Sequence, residues 1–443
     1  MKIIYLLSLS LLGVWLTACH QPVAKTAQAP AGFVTVKDTH FEINGKPYYY
    51  LGTNFWAGLN LGSKGAGGNR DRLLRELDRL QGMGVTNLRI MGGSEGPDTA
   101  PFRMAPSLQP SPGKYNEEVL DGLDFLLNEM HKRNMYAVLC LNNFWNWSGG
   151  MCQYLVWAGA ADSIPYPSSE KPESWGIFQS FTAQFYSNPK AVALFNDHIR
   201  FIVNHVNPYT KLAYKDDPTI MSWELANEPR ADKNIDGMHG WIDSTAGLIK
   251  QLDPHHLVTT GSEGATSGAG AGTDLVRDHN SKNIDYATIH IWVQNWNIYD
   301  PAHADSTFGP SVAYAHHYLD VHVGYGATLH KPVVLEEFGI SRDGNNYNRS
   351  TPTIIRDKYY DNIFNAVFDY AKKDSSIVSG VNFWAWGGEG KPRIPGGMWK
   401  AGDDFLGDPP HEAQGWYSVF DNDSTTINVI KNHAAQFNAL GKK

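Results

Sequence analysis

Ile220-Met221-Ser222-Trp223-Glu224-Leu225-Ala226-Asn227-Glu228-Pro229 is the stretch from which the fold can be read. The run to Ala226 is short and mostly apolar, which suits a strand buried on both faces better than a surface helix. Strands of that kind belong to parallel sheets covered by helices. The run stops at a carboxylate, Glu228, held before a proline. A second stretch repeats the arrangement: Val333-Val334-Leu335-Glu336-Glu337 ends an apolar run on acid and is followed by Phe338-Gly339.

Outward from these two strands, the chain alternates between strand and helix patterns. Leu73, Leu74, Leu77 and Leu80 give Arg70 to Met83 a helical spacing, and Val85 to Ile90 follows as a short strand. Val119 to Arg133 reads as helix and Met135 to Leu141 as strand. Ala191 to Val206 is helix before the strand Thr219 to Leu225, and Gly240 to Leu252 is helix before Leu257 to Thr260. Tyr286 to Trp292 is a strand. Helix Val312 to Leu329 precedes strand Pro332 to Phe338, helix Lys358 to Lys372 precedes strand Val378 to Trp386, and Thr426 to Leu440 closes as helix. At the front, Val34, Val36, Phe41 and Ile43 alternate with polar residues, and Asn44-Gly45 signals a turn. This predicts an N-terminal β-hairpin leading into a first strand that ends at Gly52-Thr53-Asn54-Phe55-Trp56.

About eight buried strands with helices between them predict a parallel sheet closed into a (β/α)8 TIM barrel, and 443 residues suit such a barrel with insertions. The competing arrangement is an open doubly wound sheet, which would show a phosphate-binding turn after its first strand. Gly268-Ala269-Gly270-Ala271-Gly272 is glycine-rich, but it stands elsewhere and no Lys-Ser/Thr follows, so it reads as a flexible loop. Long strand-end loops run from Asn142 to Lys190 and from Gly387 to Asp423. Both leave the C-terminal ends of strands, the face where barrel active sites lie.

A net charge of −8 argues against nucleic acid as a partner. There is no CxxC and no HExxH, so neither a metal nor a cofactor is expected. Met1-Lys2 and the apolar Ile3 to Leu16 read as an export signal. Leu16-Thr17-Ala18-Cys19 resembles a bacterial lipobox, which implies lipidation of Cys19. His20, standing after it in place of Asp, implies the outer membrane rather than retention at the inner one. The expected organisation is a lipoprotein signal peptide at 1–19, a flexible tether at 20–31 and a single (β/α)8 catalytic domain at 32–443. Cys140 and Cys152 either pair or stay as buried free thiols.

Glu228 and Glu337 end the fourth and seventh strands, and a barrel brings those ends to opposite sides of one cleft. Two carboxyl groups facing each other, one protonated and one ionised, are what glycoside hydrolysis requires. Asn227-Glu228-Pro229 resembles the acid/base motif of glycoside hydrolase family 5, and Glu337-Phe338-Gly339 resembles its nucleophile motif. The likeness extends over most of the chain after Phe33. It implies that Glu337 rather than Glu336 is the nucleophile. Strand alternation agrees, since adjacent residues point to opposite faces.

The resemblance carries further roles. Arg89 is similar to the Arg that hydrogen-bonds the nucleophile and holds it ionised. Asn227 resembles the Asn that binds the sugar 2-hydroxyl. His290 and Trp292 match a His-x-aromatic strand in which many members carry Tyr, whose hydroxyl Trp292 lacks. Trp384 resembles the tryptophan floor under the cleaved sugar, with Trp386 competing for that place. Asn142-Asn143 stands where many cellulases of the family have His. With Phe144-Trp145, Trp223 to Arg230 and Tyr214 to Pro218, it resembles the mannan-degrading subfamily. Asn143, Trp145 and Trp56 are therefore further candidates for substrate contact, as are Trp147, Trp157 and Trp296, because flat rings stack on sugars as well as filling cores. His255-His256 and His316-His317 read as solvated pairs.

The resemblance implies a retaining double displacement on β-1,4-mannosidic bonds of mannan or manno-oligosaccharides, and a monomer is expected. Glu228 is expected to have a raised pKa, because the charge of Glu337 disfavours a second ionisation. Endo-mannanase action is favoured. The alternatives are an exo-acting β-mannosidase, its glycone side closed by the 387–423 loop, and a non-catalytic surface glycan-binding lipoprotein.

Overall fold

The computed structural model describes residues 32–441 apart from 169, 267, 269, 374 and 375. Eight parallel strands line the centre: β1 (Tyr50–Asn54), β2 (Asn87–Met91), β3 (Tyr136–Cys140), β4 (Ile220–Glu224), β5 (Leu257–Thr259), β6 (Ala287–Ile291), β7 (Val333–Phe338) and β8 (Val378–Phe383). The paired ladder runs β5-β4-β3-β2-β1-β8-β7-β6. Its two ends meet where the Asp285 N–H donates to the Val258 carbonyl at 2.8 Å and the Thr259 hydroxyl donates to the Tyr286 carbonyl at 2.9 Å. The result is a (β/α)8 barrel. Every residue of the eight strands is buried, which is why their sequences are continuous apolar runs without alternation.

The helices pack outside. Arg70–Met83 shows how locally its limits are written: the Asn69 side chain accepts from the Arg72 N–H at 2.9 Å, Gly84 ends the helix at φ 84°, and Leu73, Leu77 and Leu80 face the core. The N-terminal hairpin gains a third strand. Val34–Lys37, His40–Ile43 and Lys46–Tyr48 form an antiparallel sheet, with Asn44 and Gly45 both at positive φ in the turn. Phe41 packs edge-on against Tyr286 and beside Tyr50, so this sheet closes the N-terminal mouth of the barrel.

The opposite mouth stays open and is walled by the two insertions. The first contains helices Gly150–Trp157 and Ser174–Thr182. The second is pinned at its base, where Trp386–Gly388 pairs with Val419–Phe420. Asp408 ties its interior by accepting from the Gly415 and Tyr417 N–H groups at 2.7 and 2.6 Å and from the Ser418 hydroxyl.

Cys140 and Cys152 are buried free thiols. His256, expected in solvent, is buried and shares a hydrogen bond with Asp253 at 2.5 Å. The lipobox at Cys19 and the tether at 20–31 lie outside the described residues. Among the described residues, no helix is long and apolar enough to cross a membrane.

Candidate active site

Arg89, on β2, is the centre around which the mouth is organised. Its guanidinium donates to both Glu224 oxygens at 2.8 and 2.6 Å, to Asn227 Oδ1 at 2.9 Å, to Asn54 Oδ1 at 3.1 Å and to Glu337. All of its donors are used, and only a planar fork can reach so many acceptors at once. Asn227 in turn donates to Asn143 Oδ1 at 3.1 Å.

Glu228 extends beyond β4, its N–H donating to the Gly261 carbonyl at 3.0 Å. It adopts φ 50°, a conformation rare for a non-glycine residue and concentrated at functional positions. Pro229 contributes by disfavouring the ordinary helical region for the residue before it. The Glu228 carboxyl accepts from the Trp145 indole N–H at 2.6 Å and shares a hydrogen bond with His290 Nδ1 at 2.7 Å. Glu337 accepts from Arg89 and, at 3.1 Å, from the Trp292 indole N–H. His290 Nδ1 lies 3.4 Å from Glu337.

One polar atom each of Glu228, His290 and Glu337 lie within 4.8 Å of one another. Distance alone would admit a cation there, but the N–H groups of Arg89, Trp145 and Trp292 already aim at the two carboxylates. Both carboxylates line a cavity of about 350 Å³ at the open mouth.

The proton distribution differs from the expected one. Burial pushes the Glu228 carboxyl up, but the hydrogen bond and charge of His290, the charge of Arg230 and the Trp145 N–H outweigh it and hold it at about 2. Burial would lower His290, yet Glu337 and the bond to Glu228 raise it to about 10. Burial raises Glu337 to about 7 against the pull of His290 and Arg89. The expected repulsion between Glu228 and Glu337 is real, but the imidazole between them absorbs it. The surrounding carboxyls thus favour the protonated form of His290, which stands one hydrogen bond from Glu228.

The sequence model described as "GH family 5 beta-mannosidase-like" matches residues 31–442. The chain belongs to that family. Among solved members, a glycoside hydrolase family 5 mannosidase from Rhizomucor miehei is 42% identical over 94% of this chain and 99% of its own, with a TM-score of 0.86. A Glu-to-Ala mutant of that mannosidase, in complex with mannosyl-fructose, is 41% identical with the same TM-score. A mannan endo-1,4-beta-mannosidase 1 from Solanum lycopersicum is 31% identical over 81% of this chain and 85% of its own length. An endo-beta-1,4-mannanase from Thermotoga petrophila shares the fold at 24% identity and a TM-score of 0.65.

Within this family-5 mouth the residues singled out in the sequence separate into groups. Glu228, Glu337, Asn227, Trp145, Trp292 and Trp384 line the cavity, as do Trp147 and Trp296. Trp386 does not; its indole N–H turns away to Glu76 at 3.0 Å. Arg89 and His290 contact the carboxylates from beneath rather than from the cavity. Three further candidates fail to reach it, among them Trp157, which packs edge-on against Tyr154. Asn143 is fully buried behind Asn227 and holds that side chain in place. Trp56 is buried edge-on to Trp147 and donates to the Gly407 carbonyl at 3.0 Å, so it braces the second insertion.

Other lining residues carried no distinct local signal. Trp175, from the helix Ser174–Thr182, and Asn295, His411 and Glu412, from loops, reach the mouth only in the folded barrel. Arg230 belongs to the quoted Glu228 motif, but its place appears only in the fold. It forms a bidentate pair with buried Glu263 at 2.7 and 2.8 Å and lies over the Trp145 ring at 4.9 Å. Glu412 presents an unpartnered Oε2 out of reach of solvent. Burial, with Asp408, Glu337 and Glu228 adding, pushes its carboxyl well above the ordinary range.

Proposed function

We propose that the protein is a retaining hydrolase of β-1,4-mannosidic bonds, with Glu337 as nucleophile and Glu228 as acid/base. The approach of the two carboxyl groups carries this reading. An oxygen of each lies within 4.8 Å of the other, and both flank the one imidazole of His290, a close approach in keeping with the roughly 5–5.5 Å between the carboxyl groups of retaining enzymes.

Glu337 attacks the anomeric carbon while the Glu228 side delivers a proton to the departing oxygen. A glycosyl ester forms on Glu337 and the glycosidic bond breaks. Water then gives its proton back to Glu228 as its oxygen displaces Glu337. Arg89 and Trp292 stabilise the carboxylate that leaves in this second step. A glycan-binding role without chemistry would need no such pair. Mannan or manno-oligosaccharide as substrate is supported by the family, by the named activities of its relatives, and by the mannosyl-fructose held by the 41%-identical mutant mannosidase. We further propose that the enzyme works as an exported monomer anchored to the outer membrane through Cys19.

Curated relatives named as endo-acting favour attack within the chain. A second reading, removal of mannose from chain ends, is favoured by the shape of the mouth. The proton donor must face the leaving group, so the glycone lies on the Glu337 side, with Trp292 and Trp384. The 387–423 insertion adds Pro409, His411 and Glu412 to the cavity wall, with His411 stacked at 6.5 Å on Trp147. Asp408 and Trp56 make that insertion a fixed wall around a cavity of about 350 Å³, at the low end of small-ligand sites. An early product profile on linear mannan and mannohexaose decides between the two. A spread of oligosaccharides means endo action; mannose alone, released stepwise, means that the wall limits the glycone side to one sugar. No product from either would overturn the mannan reading.

A further inference from the structure

β7 carries adjacent glutamates, and regular alternation would send Glu336 and Glu337 to opposite faces. It does not. Pairing of β7 with β6 slips between Leu335 and Glu337, a bulge of the kind that re-aims side chains beside active sites. Both carboxyls consequently reach the same two partners. Glu337 binds Arg89 from the cavity side. Glu336 Oε2 lies 3.8 Å from Arg89 Nε and 3.8 Å from His290 Nε2.

Glu336 is 1% exposed, and among the described residues neither of its oxygens has a hydrogen-bond partner. His290 Nε2 is buried and unpartnered as well. Two such groups facing each other are uncommon in a folded interior, where buried polar atoms are nearly always satisfied. Arg89 cannot explain Glu336, since its donors are taken by Glu224, Asn227, Asn54 and Glu337. What remains is the line Glu336–His290–Glu228, with Nε2 at one end of the imidazole and Nδ1 at the other.

We propose that Glu336 is a positioning residue that acts through His290: its carboxyl, facing Nε2 across 3.8 Å, favours a proton on that nitrogen, so that Nδ1 is free to exchange a second with Glu228. This rests on the acid/base assignment of Glu228. As the leaving oxygen takes a proton from Glu228, Glu228 takes one from Nδ1 and the imidazole becomes neutral, with Nε2 still protonated. When water attacks, its proton passes through Glu228 back to Nδ1. One proton leaves and one returns, so the cycle balances.

The charged groups around the imidazole are Glu228 beyond β4, Glu336 and Glu337 on β7, Arg89 on β2 and Glu263 beyond β5, with Arg230 behind Glu228 and Glu224 beside Glu336. Burial and Glu224 push the Glu336 carboxyl up while His290 and Arg89 oppose them. Glu336 adds to the forces that keep His290 protonated.

The test is Glu336→Gln, which keeps the shape and loses the anion. Its imidazole holds a proton less tightly, so the basic limb of kcat/KM against pH should move about one unit to lower pH. Turnover of mannobiose should fall tenfold or more, while an aryl mannoside with a good leaving group, which needs little acid help, changes by about twofold. Wild-type limbs and ratios in a folded Glu336→Gln variant would overturn the proposal, as would equal losses on both substrates with an unmoved limb. Nitrogen-15 NMR of histidine-labelled wild-type protein gives an answer even if the variant does not fold. Nε2 of His290 protonated at neutral pH supports the proposal, and a bare Nε2 rejects it. Glu228→Ala, assayed on the same two substrates, checks the underlying acid/base assignment separately.

Discussion

Trp292 donates its indole N–H to Glu337 at 3.1 Å. The sequence resemblance places a tyrosine hydroxyl there in many relatives, so a different donor fills the same place. Hydrogen bonds to a charged group are worth roughly 1.5–3 kcal/mol. Trp292→Phe should therefore lower kcat/KM by about tenfold to a hundredfold, and Trp292→Tyr should recover part of the loss. Steady-state kinetics on an aryl mannoside measures both, and an unaffected Phe variant would remove Trp292 from the mechanism.

The two carboxylates should separate by leaving group. Glu337→Ala should abolish turnover while oligosaccharide binding persists in calorimetry. Glu228→Ala should spare activated aryl mannosides far more than mannobiose, because the acid matters only where the leaving group is poor. Equal losses on both substrates would reject the acid/base role of Glu228.

Activity should follow a bell in pH. Glu337, raised to about 7, must be ionised to attack, so kcat/KM falls as pH drops through that value. His290, raised to about 10, holds the proton that Glu228 delivers, so activity falls again as pH rises through that value. An acid limb near the ordinary glutamate range of about 4.3 would show that Arg89 dominates Glu337 more than burial does.

Asp408 holds the second insertion through backbone N–H groups that no other acceptor serves at those distances. Asp408→Ala should leave them buried and unpaired and cost about 2–4 kcal/mol in stability. Thermal unfolding should show a lower Tm. If mannose was the sole early product, the loosened wall should also let longer oligosaccharides appear.

Much of this architecture was legible because barrel strands are buried on both faces and so print short apolar runs. The helix Arg70–Met83 could be bounded by Asn69 and Gly84 alone. Other features depend on tertiary context. The helix read as Val312 to Leu329 begins at Ala304 and carries Pro310 within it, a residue that ordinarily marks a boundary. The bulge before Glu337 has no sequence signature, so alternation misplaced Glu336. Trp56 and Trp147 are alike in composition and context, yet one braces the wall and the other lines the cavity. His411 and Glu412 arrive from a long loop whose path is set by Asp408, a distant contact that no local pattern encodes.

The measurement that bears most directly on the central claim is covalent trapping. The enzyme is incubated with a 2-deoxy-2-fluoro mannosyl substrate carrying a good leaving group, and the protein is then analysed by peptide mass spectrometry. A glycosyl ester on Glu337 is the predicted result. Labelling at Glu228 or Glu336, or turnover that inverts the anomeric centre without any adduct, would contradict it.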